Sequence, residues 1–457
     1  MPVTDPQRAL RRRALVAAGV LALTGLVSAF TPTAHAAAAT AAASPLPAPT
    51  GPYPVGTTTR HLTDTARPDP WHPERGPRQV MVSFWYPAAR AQWRTAQRVA
   101  PHMDTLSAAH FGSAKGAGAF NYGVPVGSVD WAATRTHAVV DAPVARGTRV
   151  RPVVLYSAGL GDPRTWNTSL VEELASRGYV VVTVDHTYDS SEVLLTGTGP
   201  GRQGGRRLVE SALPALARQH GTDPSAVLRK AMTARVDDTR FVLDVLDGHR
   251  QHPRPELPRT LTDAMDLHRI AMAGHSAGGF TALQAMHDDR RIGAAVDMDG
   301  TLAFPDGRPG SVARDGVDRP FLLMGTESAD SGSYRRQPSW AALWQHSRGW
   351  RGDLTLLGSR HGAYTDAAAL LPGAASREVL RKDVGTVRPE RAVAATRAAV
   401  VTFLDRFLRG RESHMLDGFP ELRPEGARGT ARPATTNRYS TNNPRAAART
   451  SNSSKRA

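Results

Sequence analysis

The segment whose residue types and spacing most directly suggest chemistry is Gly274-His275-Ser276-Ala277-Gly278-Gly279. A strand-like run, Ile270 to Ala273, precedes it, and a helical run from Phe280 to Met286 follows. A serine in a G-x-S-x-G frame needs its glycines where a strand turns sharply into a helix and leaves the hydroxyl exposed under strain. The helix start behind Ser276 also offers backbone N–H groups, that of Ala277 among them, to a developing oxyanion. A Gly-rich helix start with an idle serine is the bland alternative, and both flanking elements speak against it.

A serine hydroxyl is a weak nucleophile near neutral pH and needs a base, itself oriented by an acid, in the chain order Ser, Asp or Glu, His. Downstream of Ser276 the histidines are His287, His346, His361 and His414. Only His361 follows a strand-like run, Leu354 to Leu357, in the loop Gly358-Ser359-Arg360-His361-Gly362. For the acid, Ala294-Ala295-Val296-Asp297-Met298-Asp299-Gly300 offers two carboxylates that period two places on one face, so alternation cannot separate them. Asp299, next to Gly300, lies nearer the loop where such an acid must sit, and that position favours it over Asp297.

A second oxyanion donor is expected in the loop after an earlier strand, where Ser157-Ala158-Gly159-Leu160-Gly161 follows Val153 to Tyr156. As a dinucleotide fingerprint this loop fails, because Arg164 stands where the third glycine belongs. His186 and Asp189 end another strand and are candidates to line the pocket. A metal site there lacks a third ligand, so no metal and no cofactor are expected.

These residues need a scaffold, and the apolar pattern supplies one. Val153 to Tyr156, Tyr179 to Val184, Ile270 to Ala273 and Phe321 to Met324 are continuous apolar runs, as strands buried on both faces of a parallel sheet require. Val80 to Tyr86 is a further strand, stopped by Pro87. Helical patterns alternate with them at Ser169 to Ala175, Val236 to Leu246 and Val393 to Leu408, which predicts a doubly wound α/β architecture. Residues 101–145 are a Gly-rich excursion suited to shaping a substrate entrance, and residues 196–225 an insertion that is either a lid or a plain surface loop.

The two ends differ from the middle. Arg8 and Arg11-Arg12-Arg13, the apolar run Ala14 to Phe30 and Ala34-His35-Ala36 form the n-region, h-region and small-x-small site of a cleaved export signal over residues 1–36, with a twin-arginine character that leaves the route open. Secretion is the expectation. Residues 37–57 are Ala/Pro/Thr/Gly-rich and are expected to form a flexible linker, with the folded domain over 58–424. Residues 425–457 carry six Arg and one Lys against one Glu among Ser, Thr, Asn and Pro, the composition of a basic disordered tail. The net charge of +16 is therefore concentrated at the ends, and with no basic stripe or interleaved aromatics between them it argues against a nucleic-acid protein. A weak contact of the tail with an anionic surface fits it better. The chain has no cysteine, which excludes disulfide staples, thiolate catalysis and cysteine-bound zinc.

Together these segments resemble the platelet-activating factor acetylhydrolase family, its plasma and intracellular type II branch with bacterial lipase-like relatives, from Val80 to about Leu408. Ser83-Phe84-Trp85-Tyr86-Pro87 is similar to that family's early strand, Ser157-Ala158-Gly159-Leu160-Gly161 to its Ser-His-Gly-Leu-Gly loop, Gly274 to Gly279 to its Gly-His-Ser-x-Gly-Gly elbow, and Gly358-Ser359-Arg360-His361 to its histidine loop. The resemblance implies the α/β-hydrolase fold, a mostly parallel central sheet flanked by helices, with Ser276 as nucleophile, Asp299 as acid, His361 as base, and the N–H groups of Leu160 and Ala277 as the oxyanion hole. Ala158 replaces the family histidine, Ala277 is smaller than the Phe of animal members, and the tail is foreign to them.

The implied activity is hydrolysis of carboxylic esters through an acyl-enzyme, with short-acyl or oxidised phospholipids or related lipid esters as substrates. A polyester or cutin-type hydrolase shares the same apparatus and differs in its groove. A noncatalytic secreted binding protein of the same fold would be expected to have lost one of the three residues, and all three are present.

Overall fold

The computed structural model describes residues 41–42, 45–90, 98–145, 150–196, 205–219, 225–248, 256–304, 306–328 and 332–428. In chain order the strands are β1 (Ala41–Ala42), β2 (Val55–Pro68), β3 (Pro77–Pro87), β4 (Val99–Pro101), β5 (Val129–Asp130), β6 (Arg135–Val140), β7 (Arg151–Ser157), β8 (Val180–Asp185), β9 (Val193–Thr196), β10 (Arg206–Val209), β11 (Met265–His275), β12 (Ile292–Met298), β13 (Phe321–Thr326), β14 (Arg351–Leu356) and β15 (Leu422–Arg428). Eleven of them make one sheet in the order β15-β14-β13-β12-β11-β7-β8-β3-β2-β6-β4. From β14 to β8 every neighbouring pair is parallel. The flanks are mostly antiparallel, with β15 on β14, and β3 and β2 beyond β8. This mixed, mostly parallel sheet with helices fits the α/β-hydrolase fold.

Continuous apolar runs become two-sided strands here. Val153 and Leu155 pack with one face's helices, α2 (Ser225–Asp247), α3 (Ala277–Asp288) and α4 (Pro338–His346), through Val242, Leu283 and Leu343. Val154 and Tyr156 pack on the other face, against α1 (Thr168–Ser176) and α5 (Pro389–Arg409), through Leu170, Leu174 and Leu404. Each fully buried aliphatic or aromatic side chain contributes about 1.5–3 kcal/mol, so a strand carrying four is anchored from both sides. Helix α5 starts with Pro389 in its first turn, where no N–H is needed, and stops at Gly410, whose φ of 64° closes the last turn.

The order of strands sets the site. After β7 the chain runs to β8 on one side and later returns to β11 on the other, so the direction of travel reverses between β7 and β11. Ligands of open α/β sheets bind in the crevice beyond the carboxyl ends of strands at such a point.

Two boundaries differ from the sequence expectation. Residues 45–57, expected as the end of a flexible linker, are docked: Leu46 is buried in the core, and Thr50 donates from N and Oγ1 to the Glu173 carboxylate, both at 2.7 Å. Arg397 donates to the carbonyls of Pro47 and Ala48 at 2.8 and 2.9 Å, and β2 begins at Val55. The attachment uses backbone groups against buried charged side chains, which composition does not record. Likewise residues 425–428, expected in the tail, complete edge strand β15 with its Glu425 carboxylate accepting from Thr355 Oγ1 at 2.9 Å. The proposed signal and the remainder of the tail lie outside the described residues. Of the 196–225 insertion, β10 pairs with β9 as an antiparallel hairpin whose Val193, Leu195 and Val209 pack with Trp71, Met81 and Tyr188, and Leu160 lies against this cluster.

Candidate active site

Strand β11 ends at His275, and Ser276 turns the chain with φ 57° and ψ −119° before α3 begins at Ala277. Such a backbone costs a non-glycine residue about 1–3 kcal/mol and persists only where its surroundings over-determine it. They do so here: Ser276 N donates to Met298 O at 2.8 Å, and the Ser276 carbonyl accepts from Gly279 N and Phe280 N at 2.9 and 3.1 Å. The glycines permit the approach this demands. A Cβ at Gly278 would lie 1.9 Å from the Ser157 carbonyl oxygen, and one at Gly274 would lie 2.1 Å from that of Gly278. Ser276 itself is partly exposed.

The two candidate acids part company at the strand end. Strand β12 stops at Met298, and Asp299 takes φ 58°, so the period-two argument that put both carboxylates on one face does not reach it. Asp299 Oδ2 accepts from His361 Nδ1 at 2.6 Å, while its Oδ1 accepts from Thr326 N and Oγ1, both at 3.2 Å. Asp297 is fully buried under the elbow: its Oδ1 accepts from Gly300 N at 2.8 Å and fills the space a side chain at Gly279 would need. Burial pushes the Asp297 carboxyl well above the usual carboxylate range, against the Gly300 N–H bond that favours its charged form.

His361 opens a short 3-10 turn, His361–Tyr364, after β14, and Tyr364 pins that turn by donating its hydroxyl to Gly325 O at 2.7 Å. The elbow meets it directly. The His361 carbonyl accepts from His275 Nε2 at 2.9 Å, and the two rings stand 4.4 Å apart. Partial desolvation in the turn opposes charge on the half-exposed His361 imidazole, but the hydrogen bond and the negative charge of Asp299 outweigh it and raise its pKa above the ordinary histidine value. His275, by contrast, is held down to about 3 by burial and by the neighbouring His361, so it stays neutral and donates from Nε2. The structure thus joins Asp299 to His361 and sets the Ser276 elbow against the His361 turn at the sheet's carboxyl edge.

The loop after β7 lies at the same edge. Neither Leu160 N–H nor Ala277 N–H has a hydrogen-bond partner among the described residues. Asp162, which the sequence did not single out, is buried behind the loop; burial raises its carboxyl to about 6, while it accepts from Tyr122 Oη at 2.8 Å. Through Tyr122 the 101–145 excursion is tied to the site.

His186 and Asp189 do not line the pocket, contrary to expectation. Both are buried behind the loop. Asp189 forms an ion pair with Arg235 of α2, and His186 bridges Ser157 Oγ at 2.9 Å and Asp238 at 3.1 Å. Burial alone would raise the Asp238 carboxyl, but Arg78 and His186 hold it well below the carboxylate range, whereas burial lowers His186. The only sequence signal for this network was a charged pair, Arg235 and Asp238, three residues apart on the apolar face of a helix. No group of three or more His, Cys, Asp or Glu side chains among the described residues could hold a metal ion.

A partly exposed serine at the positive end of a helix, an imidazole held by a carboxylate and two N–H groups without a partner among the described residues are the groups that nucleophilic acyl transfer requires. The family model of platelet-activating factor acetylhydrolase, isoform II, matches residues 38–421. The chain belongs to that family. Among its relatives, a probable 1-alkyl-2-acetylglycerophosphocholine esterase of Arthroderma benhamiae is 28% identical over 60% of this chain and 65% of its own length. A platelet-activating factor acetylhydrolase of Cavia porcellus is 25% identical over 41% of this chain, and the match spans 42% of that protein. A solved ferulic acid esterase from Streptomyces cinnamoneus is 35% identical, with a TM-score of 0.64, over 84% of this chain and all of its own.

Proposed function

We propose that this family member is a secreted serine esterase that hydrolyses carboxylic ester bonds through an acyl-enzyme, with short-acyl or oxidised phospholipids or related lipid esters as substrates. The observation that carries the reading is the strained Ser276 elbow beside the 2.6 Å His361–Asp299 pair. His361, oriented by Asp299, takes the Ser276 proton as the hydroxyl attacks the ester carbonyl. The N–H groups of Leu160 and Ala277 stabilise the tetrahedral oxyanion, His361 protonates the leaving alcohol, and water repeats the cycle on the acyl-enzyme. Export rests on the Arg-rich start, apolar run and Ala34-His35-Ala36 site, and mass spectrometry of the protein from culture medium would test it.

A second reading of the acyl group, hydroxycinnamate esters, is favoured by the 35% identity to a ferulic acid esterase. The polyester reading draws less support, because Tyr122 and Trp166 near the loop are buried rather than lining an open groove. One assay separates these. Initial rates on p-nitrophenyl esters from acetate to palmitate, on a short-acyl phospholipid and on methyl ferulate, for the full-length protein and Ser276→Ala, should peak on short acyl chains and fall by about 10³-fold or more in the variant. Turnover unchanged in Ser276→Ala would remove the serine mechanism, and preference for methyl ferulate would move the substrate to the second class.

A further inference from the structure

We propose that Arg235 is a positioning residue for the oxyanion hole, fixing the peptide plane that presents the Leu160 N–H to the reacting carbonyl; the proposal rests on the serine-esterase reading. Arg235 is fully buried in α2. Its five N–H donors are all committed. Nε and Nη2 hold the Asp189 carboxylate at 2.6 and 2.7 Å, Nη2 also reaches Gly159 O at 2.8 Å, and Nη1 reaches Ala158 O at 2.7 Å and Ser157 Oγ at 3.1 Å. Asp189 Oδ1 in turn accepts from Gly161 N at 3.2 Å.

The ion pair therefore grips the loop at Ser157, Ala158, Gly159 and Gly161, on both sides of Leu160. In a planar trans peptide the carbonyl and the following N–H point in opposite directions. Holding the Gly159 carbonyl on Arg235 consequently aims the Leu160 N–H away from the guanidinium. The same loop packs closely on the elbow: the Ser157 and Ala158 carbonyl oxygens lie 1.9 and 2.7 Å from where a Cβ of Gly278 would be. Ser157 Oγ, which accepts from Arg235, donates to His186 Nε2, and His186 Nδ1 donates to Asp238, which is paired with fully buried Arg78. The guanidinium is thus buttressed from β3 to α2, and it is a fork. A lysine ammonium would retain the charge opposite Asp189 without reproducing the planar set of donors.

The test uses full-length Arg235→Lys and the charge-neutral double variant Arg235→Met/Asp189→Asn, which leaves no lone buried charge. Each is assayed on a short-acyl p-nitrophenyl ester and its thiono analogue, whose sulfur is a poorer hydrogen-bond acceptor, with melting temperature recorded alongside. Loss of an oxyanion donor lowers kcat by about 10²–10³-fold. The expected result is a kcat loss of that order with KM changed by less than about threefold and a shrunken preference for the oxygen ester. Arg235→Lys at wild-type kcat overturns the proposal, and so does an equal fall on both esters, which would mark a purely structural role. If the double variant does not fold, the lysine variant decides. A wild-type protein without esterase activity, or an active Ser276→Ala, would instead sink the underlying reading.

Discussion

Asp299→Asn isolates what the carboxylate does for His361, because the structure dictates which way the new amide must face. Asp299 Oδ1 accepts from two donors, Thr326 N and Oγ1, so the amide oxygen is held at that position. The amide NH2 then occupies the Oδ2 position, 2.6 Å from His361 Nδ1 in the parent. An N–H facing an N–H is repulsive, so the ring must present the Nδ1 lone pair and carry its proton on Nε2, the nitrogen that should receive the serine proton. The wrong tautomer costs about 10⁴-fold in kcat. The pH profile gives an independent check of sign. Activity needs neutral His361, and the Asp299 carboxylate raises the pKa of that ring, so removing the charge should move the acid limb of kcat/KM to lower pH. Since 54% of the His361 side chain is exposed, solvent screens the pair, and added salt should move the wild-type limb in the same direction. Stopped-flow or initial-rate titration from pH 4 to 9 measures both effects. An Asp299→Asn protein within tenfold of wild type, or an acid limb that stays put or rises, would refute the assignment of Asp299.

Three further outcomes are expected. Asp297→Asn should keep activity within about tenfold, because burial favours the uncharged form of this carboxyl, which the asparagine mimics in shape and charge. A folded-state pKa raised above the unfolded value means stability falls as pH rises from the unfolded toward the folded pKa, so the melting temperature of Asp297→Asn relative to wild type should climb as the pH rises above about 4. Gly278→Ala should destabilise by more than the about 1–3 kcal/mol of ordinary overpacking, since its Cβ meets the Ser157 carbonyl at 1.9 Å, whereas Gly418→Ala, with nothing within 4 Å, should melt like wild type. Deletion of residues 430–457 should leave turnover and melting temperature unchanged while weakening cosedimentation with anionic vesicles; a fall in kcat would assign the tail a part in the site.

The parallel strands were legible because they are buried on both faces: the runs Val153 to Tyr156 and Phe321 to Met324 fall inside β7 and β13, with ends off by one or two residues. The β2 strand was not. Its sequence, Val-Gly-Thr-Thr-Thr-Arg-His-Leu and onward, is mostly polar even where it is buried at Thr57 and Thr58, and its later half is largely exposed, so no apolar run marks it. In the site, the elbow and the histidine loop carried their own signatures in glycine spacing and strand order. What alternation alone could not separate was Asp297 from Asp299, because the distinction is made by one backbone torsion at the strand end; the place of Asp299 beside Gly300 made the choice. The Arg235 network was only faintly marked, by the Arg235–Asp238 spacing, for a different reason: its other partners lie 46 to 160 residues away in sequence and converge only once α2 packs on the sheet.

Ser276 and Asp299 share an uncommon backbone, with φ of 57° and 58°, and they stand at the ends of neighbouring strands. Each is held by the next strand: Ser276 N donates to Met298 O, and Asp299 N donates to Met324 O, both at 2.8 Å. Sheet register is thereby converted into the separation of Ser276 and Asp299, and the strain is offset by a core with no disulfide to help. If that strain is stored for function, Ser276→Gly should relieve it while Ser276→Ala, with its Cβ, should not. The relief is about 1–3 kcal/mol, reduced by the about 0.5–1 kcal/mol that glycine loses in conformational entropy on folding. The glycine variant should therefore melt a few degrees above the alanine variant, both being inactive, in differential scanning calorimetry at one pH and ionic strength. Equal melting temperatures would mean that the elbow relaxes without its side chain, and that the positive φ is a consequence of the serine rather than a conformation imposed on it by the sheet.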